Sequence, residues 1–245
     1  MIIRAFGDSG RQRECERRLS LIKDGRYGKI IVLPIPTSRD GVTVNGTGMS
    51  FSEVAREASE GTLVAGYNIP DTLGDMLAER GAHIYDAGLD EAFLVENAEV
   101  TARGALGRIL CELPRDISEQ KIALVGYGRI GQRLTRLLLF LGASVTVYTR
   151  REQTRLELAM SGVSAELLRE ECELSGFDMI INTAPARIMS EESARRLALD
   201  TRIFDLASGN NFPASEGIIK LGSVPDTMYP ITAGRIYARY IAQYI

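Results

Sequence analysis

The chain has 245 residues, 45% hydrophobic and 25% charged, with a formal net charge of −3. That is enough for one large or two modest globular domains, and the weakly acidic balance sets up no field for nucleic acid or an anionic membrane. No apolar run reaches membrane-spanning length, and the first residues lack the basic region, apolar core and cleavage site of a signal peptide. Cys15, Cys111 and Cys172 are well separated and odd in number, so they are expected as reduced, buried small hydrophobes and not as a disulfide frame or a metal site. The expectation is a cytoplasmic protein with neither a membrane nor a nucleic-acid partner.

Ile2–Phe6 reads as a short strand, and Gly7-Asp8-Ser9-Gly10 as a turn holding a helix cap. Arg11, Arg13, Arg17, Arg18 and Lys23 then alternate with Glu14, Glu16 and Asp24, with Cys15, Leu19 and Ile22 as a narrow apolar face. This predicts a solvated surface helix. Lys29–Leu33 is a strand of the fully buried, parallel type. It runs into Pro34–Gly41, and loops at the carboxyl ends of such strands are where open α/β sheets bind ligands. Thr37, Ser38 and Arg39 are suited to holding a carboxylate.

Ser50–Ala58 is a helix capped by Ser50 or Ser52 with Glu53 near N3. Thr62–Ala65 is a strand, Pro70–Arg80 a helix stopped by Gly81, and Ala82–Tyr85 a strand. That last strand carries His83, the one histidine of the chain, expected as a satisfied structural residue and not a general base. Residues 1–95 thus form a small set of βα units. Glu91–Leu113 is helical, with Ala98, Ala102, Ala105 and Ile109 on one stripe. Over 96–114 it is read as a helix connecting two domains, ending before Pro114.

The strongest signal is Lys121–Arg151. A β-rich run, Lys121–Val125, ends in Gly126-Tyr127-Gly128-Arg129-Ile130-Gly131; an amphipathic helix, Gly142 and a second β-rich run, Ser144–Tyr148, follow. Strand, glycine turn, helix and strand make the opening unit of a dinucleotide-binding fold. Gly126 makes the turn, Gly128 lets a pyrophosphate approach, and Gly131 lets the helix pack on the sheet. Ile130, Leu134, Leu137, Leu138 and Leu141 form the expected apolar stripe. The second strand ends in Thr149, Arg150 and Arg151, where an acidic residue would bind the ribose hydroxyls of NAD. A hydroxyl and two guanidinium groups suit a 2′-phosphate, so NADP is expected ahead of NAD.

Further on, Gly162–Glu166 is a strand, Leu167–Leu174 a short helix, Asp178–Asn182 a strand and Ser190–Ala198 a helix capped by Ser190. Thr201–Leu206 and Ile218–Gly222 are strands, and Thr232–Ile245 is a helix with Ile236, Tyr237, Tyr240, Ile241 and Tyr244 on one face. The dinucleotide domain spans 115–230, and 231–245 is expected to return to the first domain. The nicotinamide should lie near Asn182–Pro185, Asp205–Ser208 and Pro225–Tyr229, with Pro34–Gly41 across the cleft. Asp205, in an apolar strand, needs a partner such as the Ser208 hydroxyl or a ligand, its alternative role being to cap a turn. Asn182, Asp205 and Ser208 are therefore the catalytic candidates, and Thr183 and Pro185 join the cofactor set.

These pieces together resemble the A-subunit family of dipicolinate synthase. The resemblance rests on Leu33–Gly41, Glu96–Ala105, Gly126–Gly131, Asn182–Pro185, Asp205–Ser208 and Thr232-Ala233-Gly234. It implies an α/β protein with a Rossmann domain and a smaller flavodoxin-like domain, built like the formate/hydroxyacid dehydrogenases. It also implies oxidation of a dihydrodipicolinate-like dicarboxylate to dipicolinate in spore-forming bacteria, hydride passing to NADP, and a flavoprotein-like B-subunit as partner. Ser38, Arg39, Asn97, Thr101 and Arg103 are the substrate-binding candidates, Arg103 standing where the family carries an acidic residue. The lack of a usable histidine fits aromatisation better than hydroxyacid oxidation. The alternatives are a dehydrogenase for another small carboxylic acid, or a non-catalytic NADP-binding regulatory protein. The tyrosine-rich last helix and the connecting helix are suited to a homo-oligomer.

Overall fold

The structure, a computed structural model, describes all residues except 170, 171, 173, 198–200, 210 and 213–216. The chain divides into two compact units, Met1–Val100 with Pro225–Ile245, and Thr101–Val224. No helix among the described residues is long and apolar enough to cross a membrane.

In unit one, β1 (Ile2–Ala5) leads through α1 (Gly10–Leu19) to β2 (Lys29–Val32). α2 (Phe51–Ala55) leads to β3 (Thr62–Gly66), and α3 (Asp71–Glu79) to β4 (His83–Asp86). The four strands are parallel, in the order β1-β2-β3-β4. Every residue of β3 is buried, as expected of a strand covered on both faces. Alternate residues of β2 and β3 feed two cores. Ile30, Val32, Leu63 and Ala65 pack with Cys15 and Leu19 of α1. Ile31, Leu33 and Val64 pack with Phe51 and Val54 of α2 and Leu73 and Leu77 of α3. α1 therefore lies on the opposite face from α2 and α3, although each strand steps the same way along the sheet. The β1–β2 crossover is of opposite hand to the other two, against the strong right-handed rule. The chain leaving β1 and the chain leaving β2 part to opposite faces. That divergence opens a crevice at their carboxyl ends, as a reversed strand order does in doubly wound sheets.

The α1 expectation needs correction: α1 is not a solvated helix. Arg11, Gln12 and Glu14 are buried with Cys15 and Leu19, because α4 (Glu91–Glu112) and the C-terminal helix supply Phe93, Tyr237 and Ile241 to the same core. His83 is exposed on the edge strand β4, its ring against Tyr27 at 5.2 Å. In α4, Ala98, Ala102, Ala105 and Ile109 are buried as the stripe required. Cys111 near its end is exposed, unlike Cys15 and Cys172.

Unit two holds β5 (Lys121–Val125), α5 (Arg129–Phe140), β6 (Ser144–Thr149), α6 (Glu152–Met160) and β7 (Ser164–Leu167). β8 (Met179–Asn182), α7 (Glu191–Arg195), β9 (Arg202–Asp205) and β10 (Ile218–Lys220) follow. All six strands are parallel, in the order β7-β6-β5-β8-β9-β10, which reverses between β5 and β8. This is a Rossmann sheet, and the crevice falls at that switch point. α6 is not foreseen from the sequence, because Leu158 is its one buried residue and no apolar stripe marks it. The helix expected over 167–174 is not there: Leu167 ends β7, and Leu168, Arg169, Cys172 and Leu174 are in no helix. Cys172 and Leu174 instead drop into the core, with the Arg169 amide on the Cys172 sulfur at 3.2 Å. Residues 170, 171 and 173 of that segment, and Ala198 of the expected 190–198 helix, lie outside the described residues.

The α5 stripe is narrower than expected: Gly131, Leu134, Thr135 and Leu138 are buried, whereas Leu141 is exposed at the C-cap, beyond the sheet. Pro225–Tyr229 is not a loop at a strand end. It belongs to α8 (Val224–Met228), directly followed by α9 (Pro230–Ala242), and groups with unit one. Proline is well placed in a first helical turn, which explains both starts. α9 packs on α1: a Cβ on Gly234 would lie 2.6 Å from the Arg11 carbonyl oxygen.

Candidate dinucleotide-binding site

The glycines after β5 do three separable things. Gly126 has φ +95°, and a Cβ there would lie 2.6 Å from Thr183 Oγ1. A Cβ on Gly131 would lie 2.2 Å from the Gly126 carbonyl oxygen, so the helix start sits hard against the turn. A Cβ on Gly128 would meet nothing within 4 Å. Bare backbone facing open space at a helix N-terminus is what a pyrophosphate requires. The Thr183 hydroxyl donates to the Val125 and Gly126 carbonyls at 3.1 and 3.2 Å and so pins the turn from the neighbouring strand.

A cavity of about 840 Å³ opens there. Its walls bring together Gly126, Tyr127, Gly128, Thr149, Arg150, Arg151, Thr183 and Pro185 of the expected cofactor set. Arg129, Ile130 and Gly131 form the first turn of α5 behind it and are not on its wall. Glu152 and Gln153, which no sequence motif marked, enter with α6, whose start they form. Thr149 is buried and its hydroxyl accepts from the Arg151 amide at 3.3 Å, while both arginine side chains are exposed at the rim. Glu152, the first carboxylate after β6, is bridged by Arg155 at 2.9 and 2.6 Å, which holds it below the usual carboxylate range.

Asp205 is 2% exposed, and its partners differ from the one expected. Asn182 Nδ2 donates to it at 2.9 Å, Asn211 Nδ2 lies 3.3 Å from both its oxygens, and the Ala207 amide donates at 3.2 Å. Ser208 is exposed and contributes its carbonyl to Asn211. Asp205, Asn182 and Asn211 thus form a buried clamp that fixes the loop after β9 next to the loop after β8. Asn211 lies beyond the strand-end motif, so nothing in the spacing pointed to it.

The substrate candidates are divided. Ser38, Arg39 and Asn97 lie in unit one, Thr101 and Arg103 in unit two. The Ser38 hydroxyl donates to Asp40 at 3.1 Å and accepts from the Gly41 amide at 3.0 Å, so it shapes its own turn. Thr37 is buried and accepts from the Tyr67 amide at 2.9 Å. Arg39 and Arg103 are exposed, Asn97 is half-buried and Thr101 is buried.

Sheet order, glycine turn and cavity define a nicotinamide-dinucleotide-binding domain. In agreement, residues 99–201 match the NAD-binding domain of D-isomer specific 2-hydroxyacid dehydrogenases. The chain is also 28% identical to the A-subunit of dipicolinate synthase from Bacillus subtilis over 159 residues, 61% of this chain and 53% of that protein. The match thus spans about half the length of that relative. Crystal structures of the same A-subunit share the fold. The one from Bacillus halodurans has a TM-score of 0.77 at 22% identity, covering 98% of this chain and 96% of the other. The one from Bacillus subtilis has a TM-score of 0.79 at 20% identity, covering 99% and 95%. The resemblance to the dipicolinate synthase A-subunit family is borne out.

Proposed function

We propose that the chain is an NADP-dependent oxidoreductase of the dipicolinate synthase type, which oxidises a dihydrodipicolinate-like cyclic dicarboxylate to dipicolinate. The cofactor choice rests on one observation above the others: Thr149, Arg150 and Arg151 line the cavity where β6 ends, and the first acid there, Glu152, is already bridged to Arg155. Guanidinium groups at that position favour a 2′-phosphate. When bound, NADP supplies the hydride acceptor. The substrate loses that hydride and one proton, and aromatisation makes the step favourable. The protein then has to bind the carboxylates, orient the ring and accept a proton. Asn182 and Asp205, already joined to each other and to Asn211, serve as positioning residues for the two strand-end loops, with Ser208 exposed on one of them. Ser38, Arg39, Asn97, Thr101 and Arg103 remain proposed carboxylate contacts. A flavoprotein-like B-subunit and a second copy of the chain are the proposed partners, in the cytoplasm.

A second reading, a dehydrogenase for another small carboxylic acid, draws support from the 2-hydroxyacid dehydrogenase match. Against it, His83, the sole histidine, sits exposed at the sheet edge of unit one beside Tyr27. The purified chain is to be mixed with NADP and freshly formed dihydrodipicolinate, with and without the B-subunit. NADPH formed in step with dipicolinate supports the proposal. Cofactor binding without turnover in either mixture overturns it in favour of a regulatory protein, and turnover with D-lactate instead favours the second reading.

A further inference from the structure

Among the described residues, two buried side-chain atoms lack a hydrogen-bond partner: Arg11 Nε and Gln12 Oε1. They are neighbours in the first turn of α1, and each residue is 1% exposed. Buried polar atoms are almost always satisfied. A guanidinium carries five donors; among the described residues its ion-pair partner is Asp226, whose Oδ1 lies 3.3 Å from Nε without completing a hydrogen bond and also accepts from the Ser9 hydroxyl at 3.3 Å. Burial pushes the Arg11 pKa down and the Asp226 carboxylate opposes it, but arginine stays a cation throughout the working range.

The position in the fold points the same way. β1 and β2 send their chains to opposite faces of the sheet, and the resulting crevice lies over their carboxyl ends. Gln12 Nε2 reaches a carbonyl on each side of that divergence, Phe6 O at 3.2 Å and Val32 O at 3.4 Å. Those two carbonyls fix the amide orientation, leaving Oε1 as an unused acceptor. α1 is a ten-residue helix, and its N-terminus adds partial positive charge at the same spot.

We propose that Arg11 binds a carboxylate of the small-acid substrate in the β1/β2 crevice, with Gln12 accepting from an adjacent N–H or O–H of the ligand. Asp226 is the internal carboxylate that the ligand replaces on the guanidinium. A dihydropyridine carboxylate carries both groups. The inference rests on the proposed function and deepens it, adding buried Arg11 to the proposed carboxylate contacts of unit one.

The test titrates the full chain with dipicolinate and with picolinate by calorimetry, with NADP as control and thermal melting as the measure of folding. The variants are Arg11→Met, Asp226→Asn and the double variant, which leaves no uncompensated charge; Arg11→Lys replaces Arg11→Met should the latter not fold. The expected result is a loss of about 10- to 100-fold in carboxylate affinity for Arg11→Met and the double variant, with NADP affinity within about twofold of the parent. Asp226→Asn should bind carboxylate as tightly as the parent or tighter, because it removes the competitor. If Arg11 and Asp226 merely tie α8 to α1, both single variants lose stability alike and carboxylate affinity stays put. That result overturns the inference, as does a parent chain that binds neither acid. Arg11-dependent binding of picolinate without dipicolinate would keep the carboxylate site and overturn the dipicolinate reading.

Discussion

The chain uses the same local device twice, a parallel strand, a glycine turn and a helix, and fills the two turns in opposite ways. After β5 the turn is emptied: Gly126 has φ +95° and a Cβ on Gly128 would meet nothing within 4 Å. After β1 the turn is lined by side chains: Gly7 has φ +83°, a Cβ on Gly10 would meet Pro230 at 2.7 Å, and Arg11 and Gln12 are buried beside it. A phosphate chain is bound by backbone N–H groups, which need room and no side chain. A single carboxylate is better held by a charged fork than by a helix end alone. The contrast is between a bare-backbone turn suited to a dinucleotide and the side-chain-lined turn proposed above for a carboxylate.

Four outcomes would break or sharpen this contrast. The largest concerns stability: Arg11→Met leaves the half-buried Asp226 carboxylate without its partner and should cost about 2–3 kcal/mol, somewhat less than a fully buried broken ion pair, read by denaturant unfolding. Little change would mean that the first turn of α1 carries no buried electrostatics. Next comes a matched pair. Gly10→Ala meets Pro230 and should lower stability by about 1–3 kcal/mol without weakening NADP binding. Gly128→Ala has room in the protein and a φ of −79°, so it should melt like the parent yet bind NADP about tenfold or more weakly, its methyl occupying pyrophosphate space. Equal behaviour of the two would erase the distinction. Third, Arg150→Ala with Arg151→Ala should weaken NADP by about tenfold and leave NAD nearly unchanged in competitive titration. The smallest effect belongs to Glu14 in α1, whose carboxylate accepts from Arg17, Arg18 and Arg235 at 2.7 to 3.2 Å, holding its pKa well below the carboxylate range. A depressed folded pKa contributes stability above the unfolded value of about 4.3, lost as pH falls below it. Melting temperature should therefore drop from pH ~5 towards ~3, and Glu14→Gln should flatten that slope.

The turn after β5 was legible because its function demands absences. Three glycines at fixed spacing between two apolar strands have few other uses, and in the structure Gly126 takes the positive-φ turn, Gly128 faces open space and Gly131 sits hard against the turn. The turn after β1 is not legible in the sequence, because Arg11, Gln12 and Glu14 look solvated until α9 and α4 cover them, and that cover comes from distant parts of the chain. The same holds for Asp205. A buried carboxylate in need of a partner was predictable, but the partners Asn182 and Asn211 are set by strand order and loop path, not by spacing. α6 escaped because it lies on the surface with one buried residue, so no periodicity marks it.

The most direct measurement is a calorimetric titration of the full chain with NADP and, separately, NAD. Saturable binding of one NADP per chain, tighter than NAD, is the predicted result. Binding of neither dinucleotide, or tighter binding of NAD, would contradict the account at its centre.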